Sequence, residues 1–339
     1  MNREKVLVIG GAGYFGRLLA DDLRRYTRCE PVIASRHSSV KADLSDRSSL
    51  EAALSGVKIA VCAAGPFQRI PTSLAELCLE RGIHYIDLAD DRGFVQRVRA
   101  LAENRGSPAA VCTGWSTVSA LSGAMAALAT EGMSSVDSIY IHMAPGNRGA
   151  RRVGTIASLL HSVGRPFTVL RDGRPRSVAG WSEPREFRFP SPVGVRRGYL
   201  IDVPDHELFP EYFNARTVEF RAGSELAILN GCLSLLRRTG RPWAGWSRVF
   251  QRGAALFSWI GSDAGAIGVE VSGTSHRRVT IVADSAGERI AVMPASIMVD
   301  SLLSGGNFHG LVKHSNWITH EQMSAECERR GFRLVVEEL

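Results

Sequence analysis

The segment Val6-Leu7-Val8-Ile9-Gly10-Gly11-Ala12-Gly13-Tyr14-Phe15-Gly16 constrains the fold of this chain more than any other. A short apolar run reads as a buried strand, and glycines follow at once. Phe15, Leu18, Leu19, Leu23 and Tyr26 then recur at three- and four-residue spacing, as in a helix packed on a sheet. The spacing of the glycines alone says little in a chain that has 34 of them. Between a buried strand and an amphipathic helix it acquires a mechanism. Glycines at 10, 11 and 13 permit a tight turn and close approach of a pyrophosphate, and Gly16 lets the helix lie near the strand. The helix N-terminus adds unpaired N–H groups and partial positive charge. Gly10, Gly11, Gly13, Tyr14, Phe15 and Gly16 are the expected phosphate-holding residues of a dinucleotide site.

The same grammar repeats downstream. Val32–Ala34, Val40–Leu44, Ile59–Ala63, Tyr85–Leu88 and Ala109–Cys112 read as further strands. Ser48–Leu54, Pro71–Arg81 and Phe94–Glu103 read as the intervening helices. Six strands alternating with helices before Gly114 predict an α/β fold with a doubly wound parallel (Rossmann) sheet. Beyond Gly114 the pattern changes. Val118–Thr130 reads as a connecting helix, Ser138–Met143 as a strand and Val153–Val163 as a helix. Phe167–Leu170 begins a hairpin at Asp172-Gly173. Strands are then expected at Phe187–Phe189, Gly198–Val203, Thr217–Arg221, Gly268–Ser272, Arg278–Ala283 and Arg289–Val292. Helices are expected at Glu225–Arg237, Trp246–Trp259, Ala295–Leu303 and Thr319–Arg330. This predicts a second α+β domain with a mostly antiparallel sheet. The expected division is 1–117 for the nucleotide domain, 118–304 for an α+β substrate or dimerisation domain, and 305–339 as a segment returning to the first domain.

Length and composition agree: 339 residues suit two domains, and 45% hydrophobic with 22% charged residues is ordinary for a globular chain. No apolar run is long enough to span a bilayer, and the N-terminus lacks the apolar stretch of a secretory signal, so a cytoplasmic protein is expected. The six cysteines are scattered without a C-x-x-C or metal-ligand pairing, so neither disulfides nor a metal site is expected. The net charge of +7 comes almost wholly from arginine spread along the chain. Without a basic run or interleaved aromatics it does not predict a nucleic-acid partner. A small-molecule substrate is expected, and a homodimer is compatible with the second domain.

The end of the second strand bears on the cofactor. An NAD site usually carries a carboxylate there for the ribose 2′-OH, whereas an NADP site omits it and offers arginine. Here the strand runs Ala34-Ser35-Arg36-His37, so Arg36 can fork onto a 2′-phosphate with Ser35 beside it. NADP is the expected cofactor. Asp43 either accepts from the adenine amino group or opens the next helix beside Ser45. Ala64, Gly65, Pro66 and Phe67 leave the fourth strand where the nicotinamide half would lie.

Together Gly10–Gly16, Ala34-Ser35-Arg36, Ala42-Asp43-Leu44, Ala63-Ala64-Gly65-Pro66-Phe67 and Arg81-Gly82-Ile83-His84-Tyr85-Ile86-Asp87-Leu88 resemble the saccharopine dehydrogenase-like family. The resemblance covers residues 1–120 and implies NADP(H)-dependent redox chemistry, often between an imine and an amine. The Tyr-x-x-x-Lys pair of short-chain dehydrogenases is absent. Two segments depart from the family: Ala89-Asp90-Asp91 stands where relatives carry Thr/Ser-Gly-Glu, and Gly114-Trp115-Ser116-Thr117-Val118-Ser119 lacks the usual proline.

Candidate reaction residues follow from position. Asp90 and Asp91 can orient a polar group or move a proton, or simply start a helix. Trp115 can stack on a ligand or fill core, and Ser116 and Thr117 can bond a ligand or cap a helix. Asp91 and Ser116 are the catalytic candidates; Trp115, Arg152 and Tyr199 are the substrate candidates. Arg148, Arg151 and His206 are further candidates for anion-holding or acid–base work, with a surface or structural role as the alternative for each. His309 and His314 do not share a helix face. Three functions stay open: a reductase acting at a C–N bond, a C=C or C=O reductase on a lipid- or polyketide-like substrate, and a non-catalytic NADP-binding sensor.

Overall fold

Val6, Leu7 and Val8 have no solvent exposure, and the four residues of the strand Ile59–Cys62 are buried throughout. Continuous apolar strands of this kind belong at the centre of a parallel sheet covered on both faces. The computed structural model describes residues 3–106, 108–147, 160–239, 243–246 and 260–339. In it β1 (Glu4–Ile9), β2 (Cys29–Ser35), β3 (Val40–Lys41), β4 (Ile59–Cys62), β5 (His84–Asp87) and β6 (Ala110–Cys112) are joined by a later strand, β15 (Gly310–Leu311). The order is β15-β6-β5-β4-β1-β2-β3, and every neighbouring pair is parallel. The first six strands have the order 3-2-1-4-5-6 of a doubly wound sheet, whose direction of winding reverses between β1 and β4.

Local chemistry sets the crossover helices. In α1 (Tyr14–Tyr26) Gly16, Leu19, Ala20 and Leu23 form the buried stripe. Asp46 caps α2 (Arg47–Ala53) by accepting from the amides of Ser48 and Ser49. Gly82, at φ 64°, ends α3 (Ser73–Arg81) in the left-handed region that a side chain disfavours. Asp91 caps α4 (Arg92–Arg105).

The chain divides into two units, Met1–Leu121 with Ala291–His314 and Ser122–Ile290 with Ser315–Leu339, and the boundary falls inside α5 (Ala120–Thr130). The second unit holds β7 (Val136–Ala144), β8 (Pro166–Arg171), β9 (Arg174–Ala179), β10 (Arg185–Arg188), β11 (Val195–Leu200) and β12 (Thr217–Ala222). β13 (Gly265–Gly273), β14 (His276–Ala283) and β16 (Phe332–Glu338) complete it. Its main path is β10-β11-β12-β7-β13-β14-β16, with β8 and β9 branching from β12. Among the described residues only β12 and β7 run parallel; the other pairs are antiparallel. Ile139, Ile141, Val218, Phe220, Ile267, Val269, Val271, Val279 and Ile281 alternate along four strands and are fully buried, making one face the core. Among the described residues this unit also has α6 (Asp205–Phe213), α7 (Ala227–Leu236) and α9 (His320–Arg329).

Several expectations change. The C-terminal return is split: α8 (Met293–Leu303), which packs on α1, and β15 join the first unit, whereas α9 and β16 join the second. The reason is pairing along the edge of β14, where Arg277 bonds Glu338 and Arg278 lies 3.8 Å from Glu337. Arg289–Val292 is not a strand; Gly287–Ala291 forms a 3₁₀ turn, and Pro294 then opens α8 in the first-turn position it favours. The helix α6 was not expected, since Pro210 inside it forfeits a backbone hydrogen bond and masks the pattern. The expected helix Trp246–Trp259, apart from Trp246 itself, and most of Val153–Val163 lie outside the described residues. Among the described residues no helix is long and apolar enough to cross a membrane.

Two glycines in helices should respond oppositely to alanine. A Cβ on Gly16 would fall 2.3 Å from the Gly10 carbonyl oxygen, whereas one on the exposed Gly231 of α7 meets nothing within 4 Å. Gly16→Ala is expected to destabilise the chain by about 2 kcal/mol or more. Gly231→Ala is expected to stabilise it by up to about 1 kcal/mol. Denaturant midpoints followed by circular dichroism check both, and equal shifts would contradict the packing described.

Candidate nucleotide site

At the winding reversal the backbones of two loops touch. Gly10 has φ 77° and donates its amide to the Ala34 carbonyl at 2.9 Å. A Cβ on it would lie 2.6 Å from Ala64 Cα, in the loop that leaves β4. Gly11 is closed on its other side by the Val8 carbonyl and the Ile33 side chain. The turn therefore requires glycine at 10, 11 and 16 for its own packing. Gly13 differs: it is exposed and stands at the N-cap of α1, with no side-chain cap and no acidic residue in the first turn. First-turn amides have no partner within the helix, so this end can receive an anion. The half-buried rings of Tyr14 and Phe15 meet edge to face at 5.3 Å just behind it. Arg17 donates to the Ala12 carbonyl at 2.6 Å and steadies the turn.

Across the crevice β2 ends at Ser35. Its hydroxyl bonds Ser38 at 2.6 Å and accepts the His37 amide, so it shapes the turn after the strand. Arg36 is exposed, and its guanidinium has no hydrogen bond or ion pair among the described residues. Asp43 Oδ1 accepts from the Ser45 amide at 3.0 Å, while the cap of α2 is Asp46. On the β4 side Ala64 and Pro66 are half-buried and Gly65 exposed, and the Gly65–Pro66 peptide is cis. Phe67 turns inward to meet Phe94 at 5.1 Å, so its ring is core beneath the loop.

A buried polar cluster lies next along the same sheet edge. Asp87 closes β5 with no solvent exposure. Its Oδ1 accepts from the Ala89 amide at 3.0 Å and the Gly114 amide at 2.8 Å, tying the exit of β5 to that of β6. Its carbonyl accepts from the Trp115 amide at 2.7 Å, whereas Oδ2 has no partner in hydrogen-bonding geometry among the described residues. Burial pushes this carboxyl up to about 6, against the pull of the two amides and the Thr113 and Tyr85 hydroxyls. His314, also fully buried, is held 2.7 Å from the Thr113 carbonyl and 5.1 Å, ring to ring, from Trp115. Burial lowers its pKa to about 4, so it is neutral and donates from Nε2 to that carbonyl. Asp87 was visible in the sequence only as part of a motif; a carboxylate ending an apolar strand is the signal that could have flagged it.

No family model matches this chain, and no curated protein matches it. Among solved structures it is similar to GenD2 from gentamicin A biosynthesis in complex with NAD, at 16% identity and a TM-score of 0.43, covering 100% of this chain and 97% of that one. It is similar to the C. glutamicum DAP dehydrogenase in complex with DAP, at 12% identity and a TM-score of 0.48 over 93% and 94% of the two chains. The amine dehydrogenase of Mycobacterium smegmatis gives 11% identity and 0.45 over 93% and 96%. Likenesses this distant leave the fold to rest on the strand order of this chain.

The remaining expected residues are not brought to the crevice as free groups. Asp91 accepts from the Phe94 amide at 2.8 Å as the cap of α4, which commits the carboxylate to the helix. Trp115 is fully buried, and the buried Ser116 hydroxyl reaches the Val118 carbonyl at 3.4 Å, so both serve the turn after β6. Tyr199 stacks on Trp181 at 5.3 Å inside the second unit, and His206 accepts the Phe220 amide; both are core groups there. Arg148, Arg151 and Arg152 lie outside the described residues. Among the described residues no three His, Cys, Asp or Glu side chains gather as metal ligands, and His309 bonds Pro108 and Asn307.

Asp87 and His314 should oppose each other in acid. The folded-state pKa of Asp87 is raised from 3.8, so its contribution is present below about 4 and lost as pH rises through about 6. That of His314 is lowered from 6.5, so its contribution is present above 6.5 and lost as pH falls through about 4. Asp87→Asn keeps the Oδ1 acceptor and removes the titration. Relative to the native chain it is expected to lose about 2 kcal/mol between pH 6.5 and 4. His314→Gln is expected to gain a similar amount. Urea midpoints across this range check the pair, and parallel profiles for all three proteins would refute the assignment.

Proposed function

We propose that this chain is an NADP(H)-dependent oxidoreductase, with the dinucleotide lying across the crevice between the ends of β1 and β4. The observation that carries the proposal is the Gly10–Gly16 turn at the winding reversal, where Gly10 leaves no room for a Cβ and the N-terminus of α1 is uncapped. Its amides would hold the pyrophosphate, with Gly13 leaving the approach clear. Arg36, unpaired where an NAD site carries a carboxylate, would fork onto the 2′-phosphate, beside a Ser35 turn that fixes its backbone. Ala64, Gly65 and Pro66 would border the nicotinamide half, whose ring supplies or accepts the hydride when bound. Asp87 would keep the adjoining β5 and β6 exits in place through the Ala89 and Gly114 amides.

Within this reading we favour the saccharopine dehydrogenase-like type acting on a small molecule at a C–N bond, on the strength of the segments Ala63–Phe67 and Arg81–Leu88. A non-catalytic NADP-binding role is the second reading. It is favoured by Asp91, which is engaged as a helix cap where a proton-transfer group was expected.

NADPH is expected to bind more tightly than NADH, and Arg36→Ala to weaken NADPH by about 10- to 100-fold while leaving NADH nearly unchanged. Titration of both nucleotides, followed by turnover with a panel of imines, ketones and enoyl compounds, decides the matter. An NADH preference, or an Arg36→Ala effect equal for both nucleotides, would sink the cofactor assignment. NADPH binding with no turnover on any panel would move the chain to the second reading.

A further inference from the structure

One face of the second sheet carries polar rows beside a small apolar cluster in which Phe187, Phe189 and Val193 pack with Ala144, Ala266 and Val282. Across it runs a row formed by Arg221 of β12, His142 of β7, Gly268 of β13 and Thr280 of β14, all paired in register. The next row on the same face is Glu219, Tyr140, Glu270 and Arg278. The β10–β11 hairpin folds over these rows. Phe187 of β10 stacks on His142 at 4.6 Å, and the Arg278 guanidinium carbon stands over the same ring, 4.9 Å from its centroid. A Cβ on Gly268 would fall 2.4 Å from the Phe187 ring, so the ring rests where a strand side chain would be. Glycine inside a strand marks a place where another group approaches closely.

Three polar atoms in these rows are buried without a hydrogen-bond partner among the described residues: His142 Nε2, Thr280 Oγ1 and Arg278 Nε. His142 is 2% exposed and Thr280 fully buried. An apolar ring lying on buried polar atoms is a local conflict, because each atom carries its desolvation penalty and valine at those positions would carry none. The charges on this face have a direction as well. Arg171, Arg185, Arg221 and Arg278 meet two buried or nearly buried carboxylates, Glu219 and Glu270. The other carboxylates of the network, Glu183 and Glu337, are about half exposed and screened by solvent. Burial and the guanidiniums of Arg221, Arg185 and Arg278 hold His142 neutral, well below its ordinary pKa.

We propose that this face is a binding site for an anionic group, a carboxylate or a phosphate, held by Arg278, His142 and Thr280 with Arg185 and Arg221 alongside, and that the Phe187 ring covers it. The site lies wholly in the second unit, so the inference stands apart from the cofactor reading. Binding would require the hairpin to lift: among the described residues β10 pairs with β11 alone, Arg185 reaches Glu270 at 3.3 Å, Arg333 donates to the Ser191 carbonyl at the hairpin turn, and Phe187, Phe189 and Val193 pack on Ala144, Ala266 and Val282. The bound anion would take the Arg278 Nε–H and Thr280 hydroxyl as donors, with His142 Nε2 as donor in the appropriate tautomer.

The test uses the full chain with NADP⁺ present throughout, titrated calorimetrically with inorganic phosphate and with succinate. Phe187→Ala is expected to bind one of them about tenfold or more tightly than the native chain, because displacing the ring no longer opposes binding. Which probe gains tells phosphate from carboxylate. Adding Arg278→Gln to Phe187→Ala is expected to abolish the gain. If Phe187→Ala does not fold, as judged by circular dichroism, Phe187→Leu serves in its place. No gain for either probe, or a gain untouched by Arg278→Gln, overturns the proposal and leaves Phe187 as ordinary core. Repeating the titration without NADP⁺ changes only anion binding at the α1 N-terminus, so failure of the cofactor reading would be seen separately.

Discussion

Backbone meets backbone where the first sheet reverses its winding, and side chains are excluded there. Gly16 brings the first turn of α1 against the Gly10 carbonyl, and Gly10 in turn rests against Ala64 in the loop beyond β4. Without those approaches α1 could not begin so close to the end of β1. The central strands then follow, since β1 lies between β2 and β4 and is buried on both faces. The same contact that packs the domain also sets the α1 N-terminus at the crevice without a side-chain cap. A chain keeping only the packing could have capped α1 with Asp or Ser, whereas here exposed Gly13 holds that position.

Asp87 extends this edge by one strand. Parallel strands leave their carboxyl ends side by side, and the amides that follow must find acceptors. One carboxylate oxygen serves two of them, which accounts for its full burial despite the cost to a charged group. His314 performs the complementary service as a donor to the Thr113 carbonyl. The two groups prefer opposite protonation states for the same reason, burial: each is held towards its neutral form.

What the sequence made legible was local. The glycine turn, the strand runs and the absence of a carboxylate after Ala34 each depend on a few adjacent residues, and the doubly wound order followed from them. Roles that depend on distant partners were not legible. Asp91 is an acid before a helix, and the same residue type in the same place suits a proton donor or a cap; only the Phe94 amide decides. Tyr199 and His206 were singled out by residue type, and burial against Trp181 and the Phe220 amide reassigns them. Two-residue strands such as β15 have no period to detect, so the return of Ala291–His314 to the first unit was hidden, and the pairing of β16 with β14 was hidden for want of a partner in sequence.

Both units bury polar atoms, but on different terms. Around Asp87 the backbone supplies the partners, so the carboxylate has structural work even though Oδ2 is left over. Around Phe187 no backbone group needs what His142 Nε2, Thr280 Oγ1 and Arg278 Nε offer, since the strands beneath are already paired through their own ladders. Alternation in those strands would have allowed apolar residues on both faces, as in the covered strands of the first sheet. On the opposite face the buried positions of the same four strands are apolar, with Asp137 and Arg277 towards one end, so the buried polar rows belong to one face. A buried polar atom with a backbone partner explains itself by folding. One without such a partner, clustered with others over a glycine, is explained by something the folded chain meets.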